Sequence, residues 1–344
     1  MIKKLCRKSW FSTAILAGLL LILSFVSLFV GVMDIKISDL FTGGTDQFEL
    51  FFITRLPRLL AILCTGTGFS VAGLIMQQLC MNKFVSPSTG ATLSSAKFGI
   101  CLALVFLPAS LSSIWTRAIF SFVFAIVGTW IFVWFVQRIQ FKDTVMVPLV
   151  GIMFGNIING VTSFVAYKYE ITQALSSWET GHFSMVLRGR YEIVYLVVPL
   201  LILAFIFANH FNIVGMGKDF SQNLGVNYKF VLFLGLTIAA AITASIVVVV
   251  GEISYIGLII PNMIAMFKGD KIRGTLVDTA LAGALFVLIC DILARIVIFP
   301  YEVAIQLIVG IFGSILFLFI LFRRLKHGRK AIRLCKKEKG GDAA

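Results

Sequence analysis

The stretch FITRLPRLLAILCTGTGFSVAGLIMQQ, residues 52–78, decides the fold class because it joins two arginines to a long apolar run. From Leu59 to Gln78 the run carries no charged side chain. An α-helix needs about 20 apolar residues to cross a hydrocarbon core about 30 Å thick. The stretch therefore predicts a membrane-spanning helix with Arg55 and Arg58 at its mouth.

Similar apolar blocks recur along the whole chain of 344 residues. Hydrophobic residues make up 59% of the chain, whereas soluble domains average about 45–50%. The blocks predict an all-α, polytopic membrane protein with about ten transmembrane helices, the eighth short enough to be a partial helix. Their expected positions are residues 11–32, 56–80, 92–108, 117–137, 145–167, 191–208, 229–250, 257–268, 275–297 and 305–323.

No polar stretch is long enough to form a separate soluble domain, so residues 1–344 are expected to form one transmembrane domain. A basic tail follows from about residue 323 to 344. The apolar run of residues 11–32 could imitate a signal peptide, but it exceeds the roughly 7–15 residues of a signal core. We therefore interpret it as a retained first span.

The positions of lysine and arginine predict the orientation, because cytoplasmic flanks are enriched in both. With the N-terminus inside, the predicted inner loops hold Lys83, Arg138, Lys142, Lys218, Lys229, Lys268, Lys271 and Arg273, and the tail is also basic. The outer flanks hold Lys36, Arg55, Arg58, Arg117, Lys168, Arg188, Arg190 and Arg295. Because the tail gives the inner side the larger number of Lys and Arg residues, both termini are expected in the cytoplasm. The net charge of +14 then reflects membrane topology more than nucleic-acid binding.

Several classes of site are disfavoured by the composition. The six cysteines are scattered without a CxxC pair, and the three histidines lie far apart, so neither a disulfide frame, a metal site nor a cofactor is expected. No hydrolytic constellation and no GxxxxGK[ST] phosphate loop occurs. The charged groups Glu252, Asp291, Arg295 and Glu302 fall near predicted outer ends, whereas ion-coupled carriers place carboxylates near the midplane. Energy for any uphill transport is therefore expected from another subunit.

Three polar or small-residue features remain open to more than one interpretation. One face of the second span favours close helix packing; it consists of Gly66, Ser70, Gly73 and Gln77. One face of the fifth span suits either helix contacts or a water-filled path; it consists of Asn156, Asn159, Gly160 and Ser163. The inner loop predicts a short helix from Gly217 to Leu224 with Gly225 as its C-cap, either a connector or a knob for a cytoplasmic motor.

These segments together resemble the FecCD-type permeases of bacterial ABC importers, which carry ferric siderophores, haem and cobalamin. The matching parts are RLPRLLAILCTGTGFSVAGLIMQQ, LGVN at residues 224–227, GEISYIGLIIPNMIAMFKGDK and CDILARIVIFPYEVAIQLIVGIFGSILFLFIL. The resemblance implies a transport subunit of the bacterial plasma membrane rather than an enzyme. It also implies a homo- or heteromeric permease dimer, two cytoplasmic ATPase subunits and a substrate-binding protein outside.

The resemblance also implies roles for particular residues. Arg55, Arg58 and Arg295 would dock the binding protein, which answers why arginines stand at an outer mouth; snorkelling to lipid phosphates is the alternative from the residues alone. The ATPase coupling segment would comprise Gly217, Lys218, Asp219, Phe220, Ser221, Leu224 and Gly225. The gate and translocation path would comprise Asn82, Phe84, Asn156, Asn159, Gly160 and Ser163.

The chain departs from the family pattern at several positions, and these departures bear on the cargo. NKFVSP replaces the usual NPLAxP of the gate, Ser221 replaces Ala, and Asn262 stands where His is commoner and receives no assigned role. The segment STGATLSSAKFG resembles a siderophore subgroup more than the cobalamin permeases, so a ferric siderophore is the expected cargo, with haem and cobalamin as the alternatives. Lys168, Arg188 and Arg190 suit either an anionic ferric chelate or the binding protein. A heteromeric dimer is favoured, and a secondary carrier is the rival of a different class.

Overall fold

The structure is a computed structural model that describes residues 2–30, 51–107, 113–138, 146–184, 186–187, 189, 191–269, 272–299, 301–319 and 322. Arg188, Arg190 and the basic tail of residues 323–344, all named in the predictions above, lie outside these residues. The described chain is helical, and its β-type pairing is one isolated bridge between Ile298 and Tyr301. The predicted all-α fold class is therefore confirmed.

Twelve α-helices are described, and ten of them overlap the expected apolar blocks. The first helix begins nine residues before its block, the helix that matches block 191–208 is shifted by six residues, and two short helices lie between blocks. The twelve helices are α1 (Ile2–Phe29), α2 (Leu56–Leu79), α3 (Thr92–Phe106), α4 (Ile114–Arg138), α5 (Met146–Lys168), α6 (Thr172–Glu179), α7 (Val197–Val214), α8 (Lys218–Asn223), α9 (Tyr228–Val250), α10 (Ile256–Lys268), α11 (Ile272–Ile296) and α12 (Ile305–Phe319). A π-helical turn, Phe51–Arg55, leads into α2, and a 3-10 turn, Glu192–Leu196, leads into α7.

Six helical segments of the described chain are long and apolar enough to cross a membrane. They are Phe51–Leu79, Ile114–Arg138, Met146–Lys168, Glu192–Val214, Tyr228–Val250 and Gly274–Ile296. Four shorter apolar helices complete the bundle: Thr13–Phe29, Thr92–Phe106, Ile256–Lys268 and Ile305–Phe319. The polytopic class is confirmed, while ten crossings and two cytoplasmic termini stay predictions.

Helix α2 lies at the centre of the bundle and contacts α7, α9, α10 and α11. A Cβ built on Gly66 would lie 2.5 Å from the carbonyl oxygen of Gly283 on α11, and one built on Gly73 would overlap the carbonyl oxygen of Gly257 on α10. Because helices in lipid associate through close packing, these contacts confirm the small-residue face as a packing surface. Gln77, at the end of this face, donates to the carbonyl oxygen of Gly257 at 3.1 Å.

Local signals explain where several helices begin and end. Pro57 stands in the first turn of α2, where a missing backbone N–H costs nothing. The Asn227 side chain accepts a hydrogen bond from the backbone N–H of Phe230 and caps the start of α9. Helix α9 ends at Gly251, whose φ of +93° suits glycine. Helices α2 and α9 form the buried centre that positions the sites at both ends of the bundle.

Candidate functional site

Arg58 is the centre of an ion cluster at the N-terminal end of α2. Its Nη1 donates to both carboxylate oxygens of Glu302 at 2.7 and 2.9 Å, and its Nη2 donates to Asp291 Oδ1 at 2.8 Å. Asp291 also pairs with Arg295, one turn further along α11. The side chain of Asp291 is 1% exposed and that of Glu302 is 25% exposed. The cluster joins α2 to α11 and to the linker between α11 and α12.

Arg295 and Arg55 also bind the last carbonyl groups of α1. Arg295 Nη1 donates to the carbonyl oxygens of Ser27 and Val30 at 2.9 and 2.8 Å, and its Nη2 donates to Ser27 Oγ at 3.1 Å. Arg55 Nη1 donates to the Val30 carbonyl oxygen at 2.7 Å. The final carbonyls of a helix lack intrahelical partners and carry partial negative charge. The two arginines therefore fasten the end of α1 to the bundle.

The structure thus brings the three arginines of the docking prediction together, and it gives them internal partners that sequence reasoning missed. Within the described residues, the cluster brings three guanidinium groups together with the carboxylates of Asp291 and Glu302. The spacing of Asp291 and Arg295 by four residues on one helix was a usable signal for their pairing. Glu302 reaches Arg58 across 244 positions and has no such local signal.

The predicted short helix of the inner loop forms as α8, and Gly225 closes it as expected. The backbone N–H of Gly225 donates to the carbonyl oxygen of Gln222 at 3.0 Å, and the φ of Gly225 is +74°. Gly217, which precedes α8, has a φ of +111°. Glycine adopts such positive φ values at no steric cost, so both ends of α8 depend on it.

Ser221, predicted as part of the coupling segment and as a departure from the usual Ala, fixes α8 to α7. Its buried Oγ donates to the carbonyl oxygens of Gly217 and Ile213 at 2.6 and 3.1 Å. The opposite side of α8 is exposed, with Phe220 at 47% and Leu224 at 55%. Lys218 and Asp219 are exposed beside them. The helix is therefore anchored on one side and presents charged and apolar groups on the other.

The predicted gate loop follows α2, at the end opposite the arginine cluster. Helix α2 has 24 residues, which at 1.5 Å per residue separates its ends by about 36 Å. Asn82 is buried, and its Oδ1 accepts from the backbone N–H of Phe84 at 2.9 Å. The Phe84 ring packs edge-on against Phe317 of α12 at a centroid distance of 6.3 Å. Cavities of about 210 and 230 Å³ adjoin Asn82.

Asn262 binds this loop directly, which the sequence alone did not reveal. Its Nδ2 donates to the carbonyl oxygen of Lys83 at 2.7 Å and to that of Leu258 at 2.7 Å. Asn262 is 3% exposed and lies on α10. A buried amide inside an apolar helix was the available signal, since such a group has to find a partner. The gate loop is therefore joined to α10 as well as to α12.

Helix α5 carries the predicted path residues on a surface that the other described residues leave uncovered. Only 22% of its apolar window is buried, against 83% for the segment that contains α2. Asn156, Gly160 and Ser163 are exposed, and Asn159 is half-buried, with no hydrogen-bond donor to its Oδ1 among the described residues. An apolar helix with exposed amides is unsuited to lipid alone. This face fits either a second subunit or an aqueous path.

A second buried ion pair joins Lys268 at the end of α10 to Asp278 on α11. Thr13 of α1 donates to the other oxygen of Asp278 at 2.6 Å. Asp278 was missed among the charged groups of the spans, although it is 2% exposed. In the part of the chain that the structure describes, no group of three His, Cys, Asp or Glu side chains could hold a metal ion.

The chain resembles known transport proteins over most of its length. Residues 19–323 match the FecCD transport family. The chain is 46% identical to the petrobactin import system permease protein YclN of Bacillus subtilis (strain 168), over 89% of this chain and 96% of that protein. It is 36% identical to the ferric-anguibactin transport system permease protein FatD of Vibrio anguillarum, over 87% of this chain and 95% of that protein.

A solved inward-facing structure, described as a metal-chelate type ABC transporter, has the same fold. It superimposes with a TM-score of 0.77 over 90% of this chain and 98% of that chain, at 23% sequence identity. At this identity the likeness concerns the fold.

Proposed function

Because the chain belongs to the FecCD transport family, we propose that it is the membrane permease subunit of a bacterial ABC importer for a ferric siderophore. The family match over residues 19–323 carries this proposal, since it includes the arginine cluster, the gate loop and α8 in one chain. The chain is a multi-pass protein of the plasma membrane. It contributes no ATP-binding loop of its own, so ATP is hydrolysed by partner subunits.

Coupling to the ATPase subunits is assigned to α8 and its flanking glycines. The exposed Phe220 and Leu224 offer an apolar contact, and the buried Ser221 transmits movement of α8 to α7 through its bonds to Gly217 and Ile213. A short helix held rigidly on one side moves as a unit when a partner pushes on the other. This supports the motor interpretation of the inner loop over a simple connector.

Docking of the binding protein is assigned to Arg55, Arg58 and Arg295. Three arginines in one cluster suit an acidic partner, because a guanidinium group pairs well with carboxylates. Glu302 already occupies Arg58 Nη1, whereas Asp291 is buried beneath. A carboxylate from the binding protein would therefore compete with Glu302, and its arrival would release the linker between α11 and α12.

We expect Glu302→Gln to strengthen docking of the binding protein by about two- to fivefold. The carboxylate of the binding protein would no longer have to displace Glu302 from Arg58, and a partly exposed ion pair of this kind contributes up to about 1 kcal/mol. Surface plasmon resonance with the immobilised permease complex measures the dissociation constant. The salt dependence of association should also increase, since the cluster gains net positive charge.

Glu170→Gln is the matched control, because Glu170 is exposed and has no ion pair with the arginines in the described structure. It removes a carboxylate without opening Arg58 Nη1. Unchanged or weaker docking of the Glu302→Gln permease, with docking by Arg58→Gln still impaired, would mean that Glu302 does not compete for the site.

The substrate path is assigned to α5 at the axis of a permease dimer, with Asn156, Asn159, Gly160 and Ser163 along it. Support comes from the uncovered face of α5 and from the exposed apolar side chains of α12, which include Leu307, Ile311, Ile315 and Phe319. Asn82 and Phe84 close this path on the inner side, where the adjoining cavities give the loop room to move. A second, different permease is favoured as the partner.

The proposed topology has ten crossings with both termini in the cytoplasm. It places α8 and the gate loop inside and the arginine cluster outside, which is the arrangement that an importer needs. The cargo proposal draws on relatives whose names specify petrobactin or ferric-anguibactin. Exposed Lys168 at the end of α5 is available either to an anionic ferric chelate or to the binding protein.

Uptake in whole cells tests the function. We expect deletion of this gene to abolish uptake of radiolabelled ferric petrobactin, and Phe220→Glu to reproduce the loss, because a charge at a central interface contact weakens binding about 30-fold or more. Phe220→Leu is the control, since it keeps an apolar side chain on α8 and should retain most uptake. Copurification of the ATPase subunits is measured in parallel.

The outcomes distinguish an error in the proposed substrate from an error in the proposed class of transporter. Loss of haem or cobalamin uptake with ferric siderophore uptake intact would keep the importer and overturn the cargo. Uptake that survives an inactive ATPase but ends when the proton gradient is collapsed would instead establish a secondary carrier.

A further inference from the structure

A groove between α4 and α9 has the properties of a lipid site that the transport function does not require. It encloses about 340 Å³, within the range of about 300–1,000 Å³ found for small-molecule sites. Its apolar floor and walls are formed by Trp130, Val133, Trp134, Leu232, Phe233 and Leu236. Both helices are candidate membrane spans, so the groove opens where acyl chains would lie.

The mouth of the groove is cationic. Lys218 and Lys229 line it together with the polar groups of Gln137 and Tyr228, and the described lining contains no carboxylate. Neither lysine forms an ion pair within the described chain. Arg138 adds a third positive charge nearby, with its guanidinium 5.1 Å from the centre of the Trp134 ring. The positive charges at the mouth therefore suit an anionic ligand.

The distance between the charged and apolar parts matches a lipid rather than a soluble anion. Trp130 lies eight residues before Arg138 on α4, and Leu236 lies seven residues after Lys229 on α9. At 1.5 Å per residue these separations are about 10–12 Å. Trp130 and Phe233 pack together at a centroid distance of 4.0 Å and form the aromatic wall beyond the lysines. A headgroup at the lysines would lead its acyl chain along this wall.

We propose that this groove binds an anionic phospholipid of the inner leaflet, with its phosphate between Lys218 and Lys229 and an acyl chain against Trp130 and Phe233. Basic pockets between membrane helices on the cytoplasmic side favour such headgroups, and Lys or Arg side chains near that surface each add measurably to the attraction. The leaflet follows from the proposed orientation, whereas the contact itself does not depend on the cargo. Since Lys218 begins α8, the lipid would adjoin the coupling segment.

Quenching of tryptophan fluorescence by brominated acyl chains tests the proposal. The chain has five tryptophans, and replacement of Trp10, Trp115 and Trp178 by Phe leaves the two of the groove. The permease complex is placed in phosphatidylcholine vesicles that contain a minor fraction of brominated phosphatidylglycerol or, separately, the same fraction of brominated phosphatidylcholine. We expect phosphatidylglycerol to quench preferentially, with an apparent affinity about fivefold lower in Lys229→Gln.

Two further variants make the result specific. Lys229→Arg keeps the charge and should keep the lipid preference. Lys168→Gln removes an exposed lysine at the C-terminal end of α5, which does not line the groove, and should also keep the preference. Equal quenching by both headgroups, or an unchanged preference in Lys229→Gln, would overturn the proposal. So would reduced ATPase copurification in Lys229→Gln with an unchanged lipid preference, because the lysine would then serve the motor contact. None of these outcomes depends on uptake, so the result stays interpretable even if the proposed ferric siderophore is not the substrate.

Discussion

Asp291→Asn should lower the free energy of unfolding of the permease by about 3–5 kcal/mol, because removal of one partner from a buried ion cluster leaves uncompensated charge. Asp291 is 1% exposed and is shared by Arg58 and Arg295. The amide keeps the shape of the side chain but removes the charge that both guanidinium groups require. Denaturation of the purified permease in mixed micelles measures the loss.

Glu302→Gln is the internal comparison, because Glu302 binds the same Arg58 from a site that is 25% exposed. Solvent screens this pair, so its removal should cost about 1 kcal/mol or less. The double variant Asp291→Asn/Arg295→Gln should lose less stability than the sum of its single variants, since the two residues are in contact. Equal stability of Asp291→Asn and wild type would show that the cluster does not hold α1, α2 and α11 together.

Gly73→Ala should destabilise the bundle by at least about 1–3 kcal/mol, the usual cost of added bulk in a packed interior. Its Cβ would overlap the carbonyl oxygen of Gly257, and a backbone group cannot rotate away as a side chain can. Helix α10 would have to move from α2, which would strain the hydrogen bonds of Gln77 to Gly257 and of Asn262 to Lys83. The free energy of unfolding in mixed micelles and the rate of uptake should both decline.

Gly18→Ala is the matched control, since a Cβ there meets no atom within 4 Å and the residue lies inside α1. Alanine is favoured over glycine inside a helix by about 0.5–1 kcal/mol, so this variant should be neutral or slightly stabilising. If Gly73→Ala were as stable as Gly18→Ala, the close approach of α2 and α10 would be refuted.

Helix α8 shows how much structure a local sequence pattern can predict. Two glycines flanking a short polar segment predicted α8 and its C-cap, and both are confirmed by the positive φ values of Gly217 and Gly225. The role of Ser221 was not predictable, because its hydrogen bond to Ile213 depends on how the loop folds back on α7. The contact of α8 with an ATPase subunit stays a prediction.

The arginine cluster shows the opposite case. The sequence placed Arg55, Arg58 and Arg295 at one end of their helices and suggested an external acidic partner. The structure adds internal acidic partners in Asp291 and Glu302 and a second use of the arginines in holding α1. Docking and internal pairing are compatible through exchange at Glu302, and the affinity measurement above decides between exchange and a purely structural role.

The sequence by itself determined most helical segments and the membrane class, because hydropathy and capping signals depend on neighbouring residues, and its motifs carried the resemblance to the family. Only the tertiary structure decided which helices touch. Arg58 meets Asp291 across 233 positions, and Asn262 meets Lys83 across 179. In a membrane the apolar surfaces of all helices resemble the lipid, so hydropathy does not select partners. Close-packed glycines and buried polar groups select them instead, and their complementarity is visible only when the helices are assembled.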